Sequence, residues 1–132
     1  DGTSSNNNLD MLEECRLAAM LHKNMSGDPE ILPAQQVLAM ATSEGAKALG
    51  FKNTGKIEVG QKADIVLYSM DKPYWHPRHD RTSLFVYAAN AADADTVFIN
   101  GKLLMQNGEM LYMDLEKIYA EADMRARRLT NK

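Results

Sequence analysis

The sequence has few of the features that mark several classes of protein. Cys15 is its only cysteine, so no disulfide can form within the chain, and a reduced, cytoplasmic setting is expected. The 15 Lys and Arg residues and 18 Asp and Glu residues leave a net charge of −3 without a basic stripe, which argues against nucleic acid as a partner. No apolar run is long enough to span a membrane, which argues against a membrane partner.

What is present is typical of a folded α/β chain. Hydrophobic residues make up 45% of the sequence and charged residues 25%, and 132 residues suffice for one domain with a core. The nine methionines are expected at core positions, where their flexible side chains fill gaps. Trp75 is expected to be a packing anchor.

Helical periodicity dominates the first 50 residues and returns at the end of the chain. The predicted helices cover residues 9–22, a stretch from residue 33, residues 44–49, a short helix or irregular crossing at 83–89, and residues 115–129. Their predicted start and stop residues are Asn7 or Asn8, Pro33, Thr42 or Ser43, Gly50 and Asp114. The first helix is expected to bury a face that contains Met11, Leu12, Cys15, Ala18 and Ala19.

The strand pattern begins after residue 55. Strands are predicted at residues 56–59, 63–68, 95–100 and 102–106, with the strand at 63–68 buried. Asn100-Gly101 is a strong signal for a two-residue hairpin turn, and Asn107-Gly108 predicts a second tight turn that leads into residues 109–112.

An acid and a run of small polar residues precede the first helix. Asp1 is followed by Gly, Thr, two Ser and three Asn, and then by Leu-Asp-Met. A small-residue loop before a helix is a common place to display a charged group at the mouth of a site. A lone aspartate in such a loop is more often an ordinary turn residue, so a functional interpretation of Asp1 depends on the segment that follows it.

This segment resembles the metal-dependent amidohydrolases, in particular their deaminase and chlorohydrolase branch, which includes methylthioadenosine/S-adenosylhomocysteine deaminases. In that family the last strand of a (β/α)8 barrel ends in a metal-binding aspartate, and a similar Ser-Asn-Asn, Leu-Asp segment follows. Three more family-like phrases appear in the family's order: Ala-Thr-Ser-Glu-Gly-Ala-Lys-Ala-Leu-Gly at 41–50, Gly-Lys-Ile-Glu-Val-Gly-Gln-Lys-Ala-Asp-Ile-Val at 55–66, and Val-Phe-Ile-Asn-Gly-Lys at 97–102. Together the four phrases span most of the chain.

The resemblance implies a catalytic and metal-binding role for Asp1. In the family this aspartate binds the catalytic metal, most often zinc and sometimes iron, and carries a proton from the attacking water to the leaving group. The family's other ligands, a His-x-His pair and two further histidines, come earlier in the chain than this aspartate, and none precedes Asp1 here. One carboxylate cannot hold a catalytic metal, so we expect this chain alone to bind no metal and to be inactive.

The chain's three histidines do not suggest a second metal site. His22 is expected at the end of a helix, where its charge would suit the helix dipole. His76 and His79 are three residues apart, but Pro77 lies between them, which keeps them off a helix face. We therefore interpret all three as structural. The roles of Ser4, Ser5 and Asn6–Asn8 stay open between lining a substrate pocket and completing the helix start.

The resemblance implies an α/β architecture in three parts. Residues 1–52 would form the closing loop and helices of the (β/α)8 barrel, residues 53–112 strands of a small β-sandwich with their connection, and residues 113–132 a C-terminal helix. The chain has no initial methionine and begins at an acid in a tight loop, so we expect a proteolytic or engineered boundary at Asp1.

The implied activity of the intact parent is hydrolysis of a C–N bond in a small-molecule substrate. Deamination of an adenosine-type thioether is the leading expectation. The alternatives are a triazine-type chlorohydrolase or another ring deaminase of the same family, and, for the isolated chain, a non-catalytic module for packing or assembly. Because apolar faces would lack their partners, we also expect the chain to form a homo-oligomer.

Overall fold

The computed structural model describes residue 5 and residues 7–130. It contains five α-helices and one antiparallel sheet among these residues. The helices are α1 (Met11–Ser26), α2 (Ala34–Ala39), α3 (Gly45–Ala48), α4 (Arg81–Tyr87) and α5 (Leu115–Thr130). The strands are β1 (Ile65–Tyr68), β2 (Ala94–Ile99), β3 (Lys102–Gln106) and β4 (Glu109–Met110), paired in that order. The chain is therefore a mixed α/β structure, as predicted, while its division at residues 52 and 112 stays a prediction.

Helix α1 starts later and ends later than predicted. Its N-cap is Asp10, whose carboxylate accepts hydrogen bonds from the N–H groups of Leu12 and Glu13, so the prediction of Asn7 or Asn8 as the cap was wrong. The helix continues to Ser26, where Gly27 adopts the left-handed conformation (φ 68°) and donates its N–H to the carbonyl of Lys23. Glycine adopts the left-handed conformation at little cost, so the helix ends at Gly27 and not at residue 22, where it was predicted to end.

The helical segment after Pro33 is continuous. Pro33 directly precedes α2, as its fixed φ favours, and a π-helical turn over Met40–Glu44 joins α2 to α3. The predicted break with Thr42 or Ser43 as a cap was therefore wrong. The hydroxyl of Thr42 donates to the carbonyl of Leu38, 2.7 Å away, and is thus satisfied inside the helix. Gly50 adopts a positive φ of 74° just after α3, where the helix was predicted to end.

The two predicted tight turns are confirmed. Asn100 and Gly101 have φ values of 49° and 78°, and Asn107 and Gly108 have φ values of 52° and 77°. Positive φ at both central residues is the requirement of a type I′ turn, whose twist matches that of the flanking strands. These turns connect β2 to β3 and β3 to β4, so the local sequence accounts for three of the four strands.

The strand prediction at residues 56–59 was wrong. This stretch forms bends and a turn, and Ile57 is 83% exposed. It pairs with no strand in the part of the chain that the structure describes, and an extended segment without a partner cannot satisfy its backbone groups in a ladder. Strand β1 is also shorter than predicted and only partly buried: Val66 is 42% exposed and Leu67 is 51% exposed.

The core consists of two adjoining clusters. One joins α1, α2 and α4, and its buried members are Cys15, Ala19, Ala34, Val37 and Val86. The other joins α1 to the segment before α4 and to β1 through Leu12, Trp75 and Ala89, with Tyr68, Met70, Leu84 and Phe85 packed around them. Trp75 is 1% exposed, so its predicted role as an anchor is confirmed.

Several apolar residues expected in the core lie at the surface. Met11, which was predicted on the buried face of α1, is 61% exposed, and Met20, Met25, Met40, Met113 and Met124 are exposed too, so the expected core role of the methionines was wrong for these six. Helix α5 is capped by Asp114, as predicted, but buries none of its residues. Within residues 7–130, no helix combines the length and the apolar character needed to cross a bilayer.

Candidate functional site

Asp1, the predicted catalytic and metal-binding residue, lies outside the described residues, as do residues 2–4 and 6. Its role therefore stays a prediction. The structure does describe the first turn of α1, which follows this segment in the chain, and the elements that contact that turn. These elements are the described part of the candidate site.

The carboxylate of Asp10 makes hydrogen bonds in two directions. Its Oδ1 accepts from the backbone nitrogens of Leu12 at 2.9 Å and Glu13 at 3.1 Å, which caps the helix. Its Oδ2 accepts from the backbone nitrogen of Ala91 at 3.3 Å, 81 residues further along the chain. One side chain thus starts α1 and ties that start to the short 3-10 turn Ala91–Asp93 that leads into β2.

Arg16 makes a second link between α1 and the same region. Its Nη2 donates to the carbonyl oxygen of Ala89, 2.5 Å away, and Ala89 is itself buried against Leu12 and Trp75. A guanidinium bound to a buried carbonyl limits how far the helix can rotate or slide. Helix α1 is therefore held at Asp10 and again at Arg16, in both cases by the backbone of residues 89–91.

Asp93 organises the turn that receives these links. It is 4% exposed and accepts hydrogen bonds from the Tyr74 hydroxyl at 2.5 Å, the Trp75 indole nitrogen at 3.1 Å and the Asn90 backbone nitrogen at 3.0 Å. Burial raises the pKa of Asp93, but these three donors and the nearby Lys72 outweigh it, so the pKa lies below its usual value. The carboxylate is thus held ionised among its donors.

The lowered pKa of Asp93 gives a prediction about acid stability. Because the pKa is lower in the folded chain than in the unfolded chain, the stabilisation is present above the unfolded pKa and is lost as the pH falls through the folded pKa. We expect the free energy of unfolding to decrease below about pH 4. Denaturant unfolding followed by circular dichroism at several pH values measures it.

The matched control for this prediction is Asp93→Asn. An amide cannot accept from all three donors, so the variant should be less stable at neutral pH and should lose less further stability in acid. Some loss will remain, because hydrogen bonds also lower the pKa of Asp64 and of Asp80. An acid loss as steep in Asp93→Asn as in the parent chain would contradict the assignment.

No metal site is formed by the described residues. Within residues 7–130, no group of three His, Cys, Asp or Glu side chains is close enough to hold a metal ion. His76 lies with its Nε2 3.4 Å from Nη2 of Arg78, and His76 and His79 are both exposed. The described part of the chain thus does not by itself fit a zinc site.

A large open groove runs along the apolar side of the structure. It has a volume of about 1030 Å³ and is lined mainly by apolar side chains from α1, the helical segment 34–48, β1 and α4, among them Met11, Leu38, Ile65, Leu67 and Phe85. Ligand sites usually add a few convergent polar groups to an apolar lining. Here the lining is mostly apolar, which suits a packing surface better than a small-molecule site.

Sequence reasoning missed Asp10 and Asp93. Asp10 could have been found, because Asp10 and Glu13 have the spacing of a capping box directly before an apolar run. Asp93 carried no comparable signal. Its donors Tyr74 and Trp75 lie 19 and 18 residues away, and only the folded chain brings them to its carboxylate.

The chain is similar in sequence to several known proteins. Residues 1–104 match the sequence model of the Amidohydrolase family. The chain is 52% identical, over all 132 residues and 30% of the relative's length, to a 5-methylthioadenosine/S-adenosylhomocysteine deaminase of Pelotomaculum thermopropionicum. It is 50% identical over 129 residues, 98% of this chain and 30% of the relative, to a 5'-deoxyadenosine deaminase of Methanosarcina acetivorans. The chain thus spans about 30% of the length of these curated relatives.

Solved structures agree with these relatives. An adenosine deaminase from Xanthomonas campestris with bound zinc superposes with a TM-score of 0.95 at 38% identity, covering 100% of this chain and 30% of that one. An atrazine chlorohydrolase from Arthrobacter aurescens complexed with zinc superposes with a TM-score of 0.83 at 31% identity, covering 93% of this chain and 28% of that one.

Proposed function

The chain belongs to the amidohydrolase family, and from this membership we propose that it is the C-terminal part of a metal-dependent deaminase that acts on an adenosine-type thioether. The observation that carries the proposal is the 52% identity, over the whole chain, to a 5-methylthioadenosine/S-adenosylhomocysteine deaminase. The order of the elements supports it, since the chain superposes over its full length on an adenosine deaminase.

In the proposed reaction, water adds to the ring carbon that bears the amino group, the C–N bond breaks, and ammonia leaves. Asp1 is proposed to accept the proton of the attacking water and to pass it to the departing nitrogen. A divalent metal, when bound, would supply the acidified water. Asp1 is proposed as one ligand of that metal, zinc in preference to iron, and the other ligands would come from parts of the intact protein outside this chain.

The second candidate reaction is hydrolysis of a substituted triazine-type ring. Its support is the likeness to an atrazine chlorohydrolase, with a TM-score of 0.83 at 31% identity. Both reactions replace a leaving group on a nitrogen-containing ring by water, so the scaffold alone does not separate them. The higher identity to the deaminase favours the first candidate.

The test is an assay of the full-length protein. We expect ammonia release from methylthioadenosine or S-adenosylhomocysteine, no chloride release from atrazine, and about one equivalent of a divalent metal, zinc in preference to iron, by elemental analysis. Chloride release with inert adenosine substrates would favour the second candidate. The 132-residue chain, assayed in parallel, is expected to hold no stoichiometric metal and to release no ammonia, and turnover by this chain alone would show that it is more than a part of the site.

Self-association of the isolated chain is a further expectation. The apolar side chains that line the open groove are available for contact. At about 25 cal/mol per Å², covering roughly 300 Å² of apolar surface is worth roughly 7 kcal/mol, comparable to the stability of a small domain. We therefore predict a dimer or larger oligomer, measured by sedimentation over a wide range of concentration.

Two substitutions identify the surface involved. Leu67 is partly exposed and lines the groove, so Leu67→Lys should weaken association at least tenfold by placing a charge in an apolar contact. Met25, at the end of α1, is 83% exposed and lies outside the groove lining, so Met25→Lys is the control and should have little effect. A chain that stays monomeric at high concentration would mean that it closes its own core.

A further inference from the structure

The carboxylate of Asp10 makes one hydrogen bond, to the backbone nitrogen of Ala91, that helix capping does not require. We propose that Asp10 is a positioning residue for catalysis, which fixes the start of α1 against the turn Ala91–Asp93 and thereby the end of the segment that leads from Asp1. The inference rests on the proposed function, because it matters only if Asp1 acts in the reaction. Its structural basis, however, lies entirely in residues that the structure describes.

The side chain of Asp10 does more than a helix cap requires. A cap needs one oxygen, and Oδ1 serves both N–H groups of the first turn, from Leu12 and Glu13. The second oxygen, Oδ2, accepts from Ala91. The capping role and the cross-link are therefore made by different atoms, so a substitution can remove one and keep the other.

The receiving turn is held firmly by its own contacts. Asn90 and Asp93 form a capping box, in which the Asn90 side chain accepts from Ala92 and Asp93 accepts from the N–H of Asn90. Asp93 is also bound by the indole of Trp75, which is buried. The N–H of Ala91 thus projects from a turn that is anchored in the core, which makes it a fixed reference point for Asp10.

The position of Asp10 limits where the residues before it in the chain can lie. The nine residues that precede Asp10 join α1 without an intervening helix or strand in their described part, residues 5 and 7–9. The entry to α1 therefore determines where the segment that begins at Asp1 ends. Since a displacement of about 1 Å in a catalytic group can cost about 100-fold in rate, loss of this link should lower turnover more than it changes substrate binding.

The test uses two substitutions that remove the link from opposite sides, made in the full-length protein. Asp10→Asn keeps a good helix cap but turns an amide NH₂ toward the N–H of Ala91. Ala91→Pro removes that N–H. Proline is compatible with this position, because Ala91 is the first residue of its turn and Asn90 before it is extended, with φ −124° and ψ 147°.

Each single variant is expected to lose about 10- to 100-fold in kcat with KM changed by less than about threefold. The double variant should be no worse than the poorer single variant, because both changes remove the same link. Asp114→Asn is the matched control: the Asp114 side chain caps α5 by accepting the N–H of Lys117 and makes no cross-link to a distant segment among the described residues, so the kcat of this variant should stay within about twofold.

Unchanged kcat in both single variants, or a double variant whose loss is the product of the single losses, would overturn the proposal. Failure of the proposed function has a different signature, because the unmodified full-length protein would then release no ammonia from its adenosine substrates. Metal content, measured on every variant, shows whether turnover fell with the metal in place, which is the result that positioning requires.

Discussion

Replacing Asp1 by Asn in the full-length protein is expected to lower kcat by about 10²- to 10⁴-fold, while KM changes much less. An amide can still offer an oxygen to a metal but cannot accept and return a proton near neutral pH. Because the proton is in transfer only in the transition state, its loss affects turnover more than substrate binding. Steady-state assays of ammonia release measure both constants.

Metal analysis of the Asp1→Asn variant separates the two proposed roles of this residue. Full metal content with low kcat assigns Asp1 to proton transfer, whereas loss of the metal assigns it mainly to metal binding. Asp28→Asn is a suitable control, since Asp28 is an exposed loop residue that accepts only the backbone N–H of Glu30 among the recorded bonds. Turnover of Asp1→Asn equal to that of the unmodified protein would refute both roles.

Replacing Trp75 by Ala is expected to destabilise this chain by about 3–5 kcal/mol. Trp75 is almost fully buried, packs with Leu12 and Ala89, and lies 6.4 Å from the ring of Phe85. Its removal would leave a cavity and would also take one donor from the buried carboxylate of Asp93. The free energy of unfolding, measured with denaturant at a concentration where the chain is monomeric, tests this.

Two further variants separate the contributions to this loss of stability. Trp75→Phe keeps most of the ring volume but removes the indole N–H, so it should cost about 1–3 kcal/mol. Tyr119→Ala removes an aromatic ring that is 62% exposed on α5 and should change stability by less than about 0.5 kcal/mol. A Trp75→Ala variant that unfolds like the Tyr119→Ala variant would mean that the second core cluster contributes little.

Features that depend on a few neighbouring residues were predictable. The turns at Asn100-Gly101 and Asn107-Gly108 follow from residues that tolerate positive φ, and Asp114 and Gly50 mark helix boundaries through local hydrogen bonding and backbone geometry. The predictions failed where the outcome depended on distant partners. Residues 56–59 look like a strand, but within residues 7–130 they have no neighbour to pair with.

For the candidate site, too, sequence patterns were predictive and contacts between distant residues were not. The family could be read from four phrases in a fixed order, because the residue types at such positions reflect the chemistry and backbone geometry of the family, whereas the role of Asp1 stays a prediction. The contacts that hold the first two turns of α1 could not be predicted from such phrases. Asp10 meets Ala91 across 81 residues, and Arg16 meets Ala89 across 73.

The sequence by itself determined the α/β class, the family, the tight turns and most helices of this protein, since each depends on residue types at short and regular spacing. Only the tertiary structure decided which carboxylates would be buried and joined, which apolar residues would stay at the surface, and how α1 is held. The physical reason is that hydrogen bonds such as those of Asp10 and Asp93 form only when distant segments pack together, and packing depends on the shape of the whole chain.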